Sequence, residues 1–270
     1  MKKILFIGLT GCMILISCDE LLNLFGDEDD ALTTEEVVEG LKTALEVGTD
    51  TTVAQVSVTD GYYLDQILKI PLPDEASIIT DNLDNMVFQT LGLTTFLEEK
   101  VEEVILSINR SAEEAAKGAA PVFKDVIRNM TLSDAWAILN GTNPAGTKKS
   151  EAEFDSTAAT AYLKSTTYQS LTELYSPIVN HALDLDIGLG FSANDAWSTL
   201  TVTYNQVAES GAGLIAGLEP VETELDVFVV SKALDGLFYR VGLVEKEIRR
   251  DPLAWAATTV GNILKRVFGS

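Results

Sequence analysis

The chain has 270 residues, with 41 acidic side chains against 19 basic ones and a formal net charge of −22. That balance excludes the positive patches that nucleic acid and anionic lipid head groups require. A single histidine and two cysteines exclude a multi-histidine metal site and a cysteine-based zinc site.

The chain opens as a secretory signal. Lys2 and Lys3 form a charged start, and Ile4 to Ile16 is an apolar run too short to span a bilayer. It ends in Leu15-Ile16-Ser17-Cys18, a small residue before a Cys after two aliphatics, which is the pattern of a bacterial lipobox. Residues 1–17 are therefore expected to be removed, leaving a lipidated Cys18 as the new N-terminus and the membrane as its first partner. The alternative is an ordinary signal peptide that contains a Cys. Cys12 falls in the discarded part, so no disulfide within the mature chain is expected. Loss of Lys2 and Lys3 makes the mature chain more acidic still. Its plain meaning is solubility and repulsion from the membrane surface.

Residues 18–32 read as an acidic tether. Leu21, Leu22, Leu24 and Phe25 can touch membrane or domain, and Asp27-Glu28-Asp29-Asp30 is a charge run, usually solvated. Acidic residues directly after the Cys also resemble surface-export signals of some Gram-negative lineages. Residues 33–270 are then expected to form one helical domain, long enough for a large core, with two packed sub-bundles as the alternative.

Five capping boxes mark helix starts: Thr33…Glu36, Thr95…Glu98, Thr131…Asp134, Ser192…Asp195 and Thr223…Asp226. The first helix aligns Val37, Leu41, Ala44, Leu45 and Gly48 and runs to about Gln55. Asp60-Gly61 is a turn, and Ile70-Pro71-Leu72-Pro73 is extended. A second helix starts at Asp74-Glu75 with Ile79, Leu83, Met86 and Val87 inward, and Gly92 stops it. A third aligns Leu97, Val101, Val104, Ile108 and Ala112 until Gly118, and Pro121 restarts it. A short helix over 131–140 closes at Gly141. Residues 140–156 form a polar loop, and 158–175 are helical. Ser176-Pro177 is expected to cap a separate helix carrying His181. For 193–206 the capping box favours helix over the strand-like alternation of Leu200, Val202 and Tyr204. Residues 209–220 read as a Gly-rich loop.

The longest element is Thr223 to Arg250. Its stripe of Val230, Leu234, Leu237, Val241, Val244 and Ile248 keeps one face of a helix. Val227 to Val230 is apolar all round, which predicts a helix surrounded by others. Asp251-Pro252 then starts a last helix through Trp255, Val260, Ile263, Leu264 and Val267. The fold class is all-α: a multi-helix bundle packed around this long buried helix.

Several phrases carry a resemblance. They are LKTALEVGTDTTVAQ, DGYY, IPLP, LSINRSAEEAA, PVFKDVIRNMTLSDAWAILNG, ATAYLKSTT, SPIVNHAL, ALDGLF and IRRDP. Together they span most of Leu41 to Phe268, and the chain resembles the bacterial envelope family known as domain of unknown function 4197. The resemblance implies a secreted or lipid-anchored helical domain and supplies no activity.

Motifs with chemical content are weak. Gly141 to Lys148 is a near miss for a phosphate loop, with its lysine one residue late. Gly188 to Ala193 and Gly211 to Ala216 satisfy a loose dinucleotide pattern without the strand it requires. Asp184 to Asp195 begins like a calcium loop but has Leu189 where Gly is needed. His181 has no nucleophile elbow to serve. The remaining candidates are the polar cluster Asn109, Arg110 and Glu113 on an apolar helix, and Asp235 beside Gly236. Asp235 can pair with Lys232 or with a distant cation such as Arg110, or sit as a buried carboxylate in a pocket. A core polar network is the plainer reading, and contact with a crossing helix is the plainer reason for Gly236.

The leading expectation is a non-enzymatic, lipid-anchored envelope protein that acts as a binding or interaction module with a protein partner. The outer membrane is the favoured place, and no cofactor is expected. The second is a carrier of an apolar ligand in a cavity lined by Phe228, Leu237 and Phe238. The third is a hydrolase built on carboxylates.

Overall fold

Prolines, glycines and short capping side chains divide the chain into helices before any packing is considered. The computed structural model describes residues 31–142, 154–255 and 260–269. It is an all-α multi-helix bundle, with no strand among the described residues. The helices are α1 (Thr34–Val56), α2 (Ser77–Asp81), α3 (Met86–Leu91), α4 (Thr94–Ala116), α5 (Ala119–Asn129) and α6 (Ala135–Leu139). After residue 153 come α7 (Ala158–Leu183), α8 (Ala193–Ala208), α9 (Gly211–Ala216), α10 (Leu225–Arg250) and α11 (Gly261–Phe268).

The long helix α10 is central, as its periodicity predicts. All six residues of its stripe are buried. It packs most extensively on α7 and α1 and also meets α4 and α11. Around that centre, α5, α6 and α11 cover α1, and α8 covers α4. At one end Ala44, Val244, Ile248 and Leu264 form a cluster with Trp255, Ile263 and Phe268 against it. The helix is not encircled, however. Val227, in the start that was expected to be buried all round, is 75% exposed, and Tyr239 in the middle of the helix is exposed too.

Several boundaries differ from the sequence expectation, each for a local reason. Of the last four boxes only Ser192…Asp195 forms, with both reciprocal hydrogen bonds. The third helix begins two residues early, behind Leu93 instead of Thr95, so Thr95 is inside it. Helix α6 begins behind Asp134 and α10 behind Glu224, neither with a side-chain cap. The second helix breaks in two. Asn82 Nδ2 donates to the Ile78 carbonyl and ends α2, and Asn85 Oδ1 accepts from the Val87 amide and starts α3. The break turns Met86 outward and puts Phe88 in the core instead. Ser176-Pro177 does not divide α7, which runs straight through. Tyr175 and Val179 on either side of the proline are fully buried, so packing holds the turn that proline weakens. The expected 209–220 loop contains α9, capped by Ser210. Asp251-Pro252 opens a short 3-10 turn over Pro252–Trp255.

Gly236 lies against a loop rather than a crossing helix. A Cβ there would sit 2.9 Å from Tyr62 Cε1, whose ring is fully buried. Gly236→Ala is therefore expected to destabilise the fold by about 1–3 kcal/mol through overpacking, read from the shift of the urea midpoint at unchanged m.

Candidate functional site

Three of the four sequence-selected residues meet in one place. Asn109, Arg110 and Glu113 lie on successive turns of α4, beside the irregular stretch 57–73 that links α1 to α2. Asn109 is fully buried and acts as a surrogate strand partner. Its Oδ1 accepts from the Ile70 amide at 2.8 Å, and its Nδ2 donates to the Ile70 and Ile105 carbonyls. Glu113, one turn on, accepts from the Tyr62 and Tyr63 amides at 3.0 and 3.1 Å with one oxygen. Its other oxygen takes Arg110 Nη1 at 2.7 Å. Arg110 continues to Asp60, the one non-glycine residue with positive φ among the described residues.

These bonds pin a loop whose backbone has no helical partner for its polar groups. The neighbouring contacts do the same. Tyr62 Oη donates to the Ala233 carbonyl, which fixes the loop to α10. Burial pushes the Tyr62 hydroxyl pKa well above its usual value, with Tyr175 and Glu113 adding to it. Asp65 Oδ1 accepts from the Ile67 and Leu68 amides, and Asp65 pairs with Arg240. The carboxylate of Glu113 spends its acceptors on two amides and a guanidinium. The trio thus works as a clamp on the loop.

Burial raises the Asp65 carboxyl, but the Ile67 and Leu68 amides and Arg240 outweigh it and set the pKa below the usual aspartate value. A depressed folded-state pKa stabilises the fold above the unfolded-state pKa, and that contribution is lost as pH falls through the folded value. Asp65→Asn is expected to flatten the stability profile from about pH 4 downward. Urea unfolding across that range, compared with the parent chain, measures it.

Asp235 is not part of the clamp. It pairs neither with Lys232 nor with Arg110, but with Lys164 of α7 at 2.7 Å, and both side chains are half-exposed. The helical turn that brings Gly236 against Tyr62 points its neighbour outward. Asp235→Asn is expected to cost less than about 1 kcal/mol, again by urea midpoint.

A second buried network was missed in the sequence. Glu245 of α10 is 0% exposed. It accepts from the Ala159 and Thr160 amides at 3.0 and 2.8 Å and from Thr160 Oγ1 at 2.7 Å, so it caps the start of α7 from another helix. Arg249, one turn on, donates to Glu245 and to the Leu139 and Ile138 carbonyls at the end of α6. One ion pair therefore closes two helix ends. The available signal was a Glu–Arg pair at i, i+4 within an otherwise apolar stripe.

The other candidates fall away on geometry. Asp186 Oδ1 accepts from the Leu189 and Gly190 amides, and Asp195 serves its capping box, so the calcium-like loop is spent on its own backbone. Gly211 to Ala216 is α9 itself. His181 is exposed in the last turn of α7. The phosphate-like motif lies mostly outside the described residues, and so does Cys18. Among the described residues no group of three or more His, Cys, Asp or Glu is placed to share a metal ion. No helix among them is long and apolar enough to cross a membrane. The space proposed for a carrier is filled where Phe238 lies. Its ring packs on Phe123 and Tyr168, with centroids 5.4 and 6.0 Å away.

An apolar groove does exist, at α3 and α9. It measures about 510 Å³ and is lined by Met86, Val87, Leu91 and Ile215, with Asn85 and Thr90 as polar neighbours. No charged residue lines it. Ile215 is 91% exposed, Met86 78% and Leu91 56%. The signal for it was a pair of uncharged stretches, Asn85 to Leu93 and Ser210 to Leu218, in a chain with 41 acidic side chains.

A family model described as "Protein of unknown function (DUF4197)" matches residues 31–269. No curated protein and no solved structure matches the chain.

Proposed function

The chain belongs to the DUF4197 family, and from that premise we propose that it is a lipid-anchored, non-enzymatic binding module of the bacterial cell envelope. Residues 1–17 are the signal, Cys18 carries the lipid, 18–32 are an acidic tether, and 33–270 are the binding domain. The outer membrane is the favoured location. The observation that carries the binding role is the uncharged groove at α3 and α9. Large apolar side chains held outward on short, capped helices mark contact surfaces. Its volume also favours a second reading, a carrier that holds a small apolar ligand there rather than around the long helix.

Two measurements test the proposal. Blocking lipoprotein maturation in the producing cell should leave an unprocessed precursor, and a processed form lacking Cys18 would sink the anchor. Native mass spectrometry of the purified chain, set against its denatured mass, reads the groove. A bound excess mass lost with Ile215→Asp selects the carrier reading, and its absence selects the contact surface.

A further inference from the structure

We propose that the groove at α3 and α9 is a membrane wedge, seated in the interfacial region of the bilayer that holds the chain's own anchor. The proposal rests on the anchored reading above and names the occupant of that groove.

The wedge is displayed rather than left over. Phe88 of α3 is fully buried and stacks on Tyr204 of α8 at 5.4 Å, which fastens α3 to the bundle. Gly213 of α9 backs onto the Val207 and Ala208 carbonyls so closely that a Cβ there would clash at 2.1 Å. Both helices have side-chain caps at their starts, from Asn85 and Ser210, and left-handed glycines at their ends, Gly92 and Gly217. Met86, Leu91 and Ile215 are thus held away from the core that each of their helices is docked on, and Leu214 beside Ile215 is exposed as well.

A bilayer interface suits this surface. It takes helices that lie in its plane with an apolar face buried about 5–10 Å deep, whatever their length. It also asks nothing of the groove by way of charge, and the groove offers none. The tether brings the bilayer within reach. From Cys18 to Ala31 the chain has about 13 residues, which span at most about 45 Å, so an anchored domain stays beside the membrane. The acidic balance of the chain, stronger still once Lys2 and Lys3 leave with the signal, chooses the lipid. Zwitterionic head groups accept the domain, and anionic ones repel it.

The mature chain's single thiol is acylated on this reading, so an introduced cysteine is a unique labelling site. The lipidated full chain is reconstituted into phosphatidylcholine vesicles as two variants, Ile215→Cys and Val202→Cys, each carrying an environment-sensitive fluorophore. Both positions are exposed, Val202 on α8, so neither substitution removes core packing. Flotation first reports the anchor. Quenching by acyl-chain-brominated phosphatidylcholine then reports the wedge.

The expected result is flotation of both, with a label at 215 quenched several-fold more than one at 202. Replacing part of the lipid with phosphatidylglycerol should reduce that difference. Flotation with a water-exposed label at 215 overturns the wedge and leaves the anchor standing. An apolar label at 215 that bromolipid does not quench also overturns it, in favour of a second copy or a protein partner. Failure to float removes the anchor and the wedge with it.

Discussion

Glu245→Ala is expected to lower the free energy of unfolding by about 3–5 kcal/mol, because it leaves the Arg249 guanidinium buried without its carboxylate. The same change strips the acceptors from the Ala159 and Thr160 amides at the start of α7 and from the Thr160 hydroxyl. For a chain of this size the loss corresponds to a fall in Tm of about 10 °C, measurable by calorimetry. The double variant Glu245→Leu/Arg249→Met removes both charges. It should recover much of the loss, since apolar residues of similar size often replace a buried pair without penalty. A single variant as stable as the parent would show that the pair contributes little, whatever its burial.

Glu113→Ala is expected to cost about 3 kcal/mol and to act locally as well as globally. Two backbone amides lose their acceptor in a buried setting, at about 1–3 kcal/mol each before relaxation, and Arg110 loses one of its two carboxylates. The amides of Tyr62 and Tyr63 should then exchange with deuterium much faster, while those in the middle of α10 keep their order of protection. Glu113→Gln keeps one carbonyl oxygen for the amides, so it should preserve most of the local protection and lose the ion pair. Equal exchange rates in the parent and Glu113→Ala would mean that Asn109 and Asp65 hold the loop without help.

The two networks share a design that explains which parts of this protein were legible. In each, two polar residues one turn apart on a long apolar helix reach sideways to a stretch of backbone that cannot satisfy itself. On α4 the pair is Asn109 and Glu113. On α10 it is Glu245 and Arg249. Asn109, Arg110 and Glu113 stood out because they are crowded together on an apolar helix. Glu245 did not, because Arg249 beside it offers an ordinary surface explanation. Asp235 does pair with a distant cation, but that cation is Lys164 rather than Arg110. The neighbouring Gly236 is tightly packed, but on a helix adjacent residues point about 100° apart, and tight packing of one says little of the next.

The caps show the same limit. A hydroxyl three residues before a carboxylate is a local signal, and it holds where nothing competes, as at Ser192. At Thr95 the helix starts earlier, since Leu93 provides the first carbonyl and Thr94 Oγ1 turns to the Leu83 carbonyl. At Pro177 the breaking signal was genuine and lost to burial on both sides.

Taken by itself, the sequence determined the helical class, the core stripe of α10 and the family. The first two rest on periodicity and residue types that act over a few turns, where the chain is its own nearest neighbour; the family was legible as a resemblance in particular phrases such as LSINRSAEEAA and ALDGLF. Tertiary structure decided the rest. Glu245 meets Thr160 across 85 residues and Glu113 meets Tyr62 across 51. The groove exists only because α3 and α9 come together from distant parts of the chain. A buried polar atom must find a partner wherever the packed fold supplies one, and that choice depends on the packing of the whole bundle.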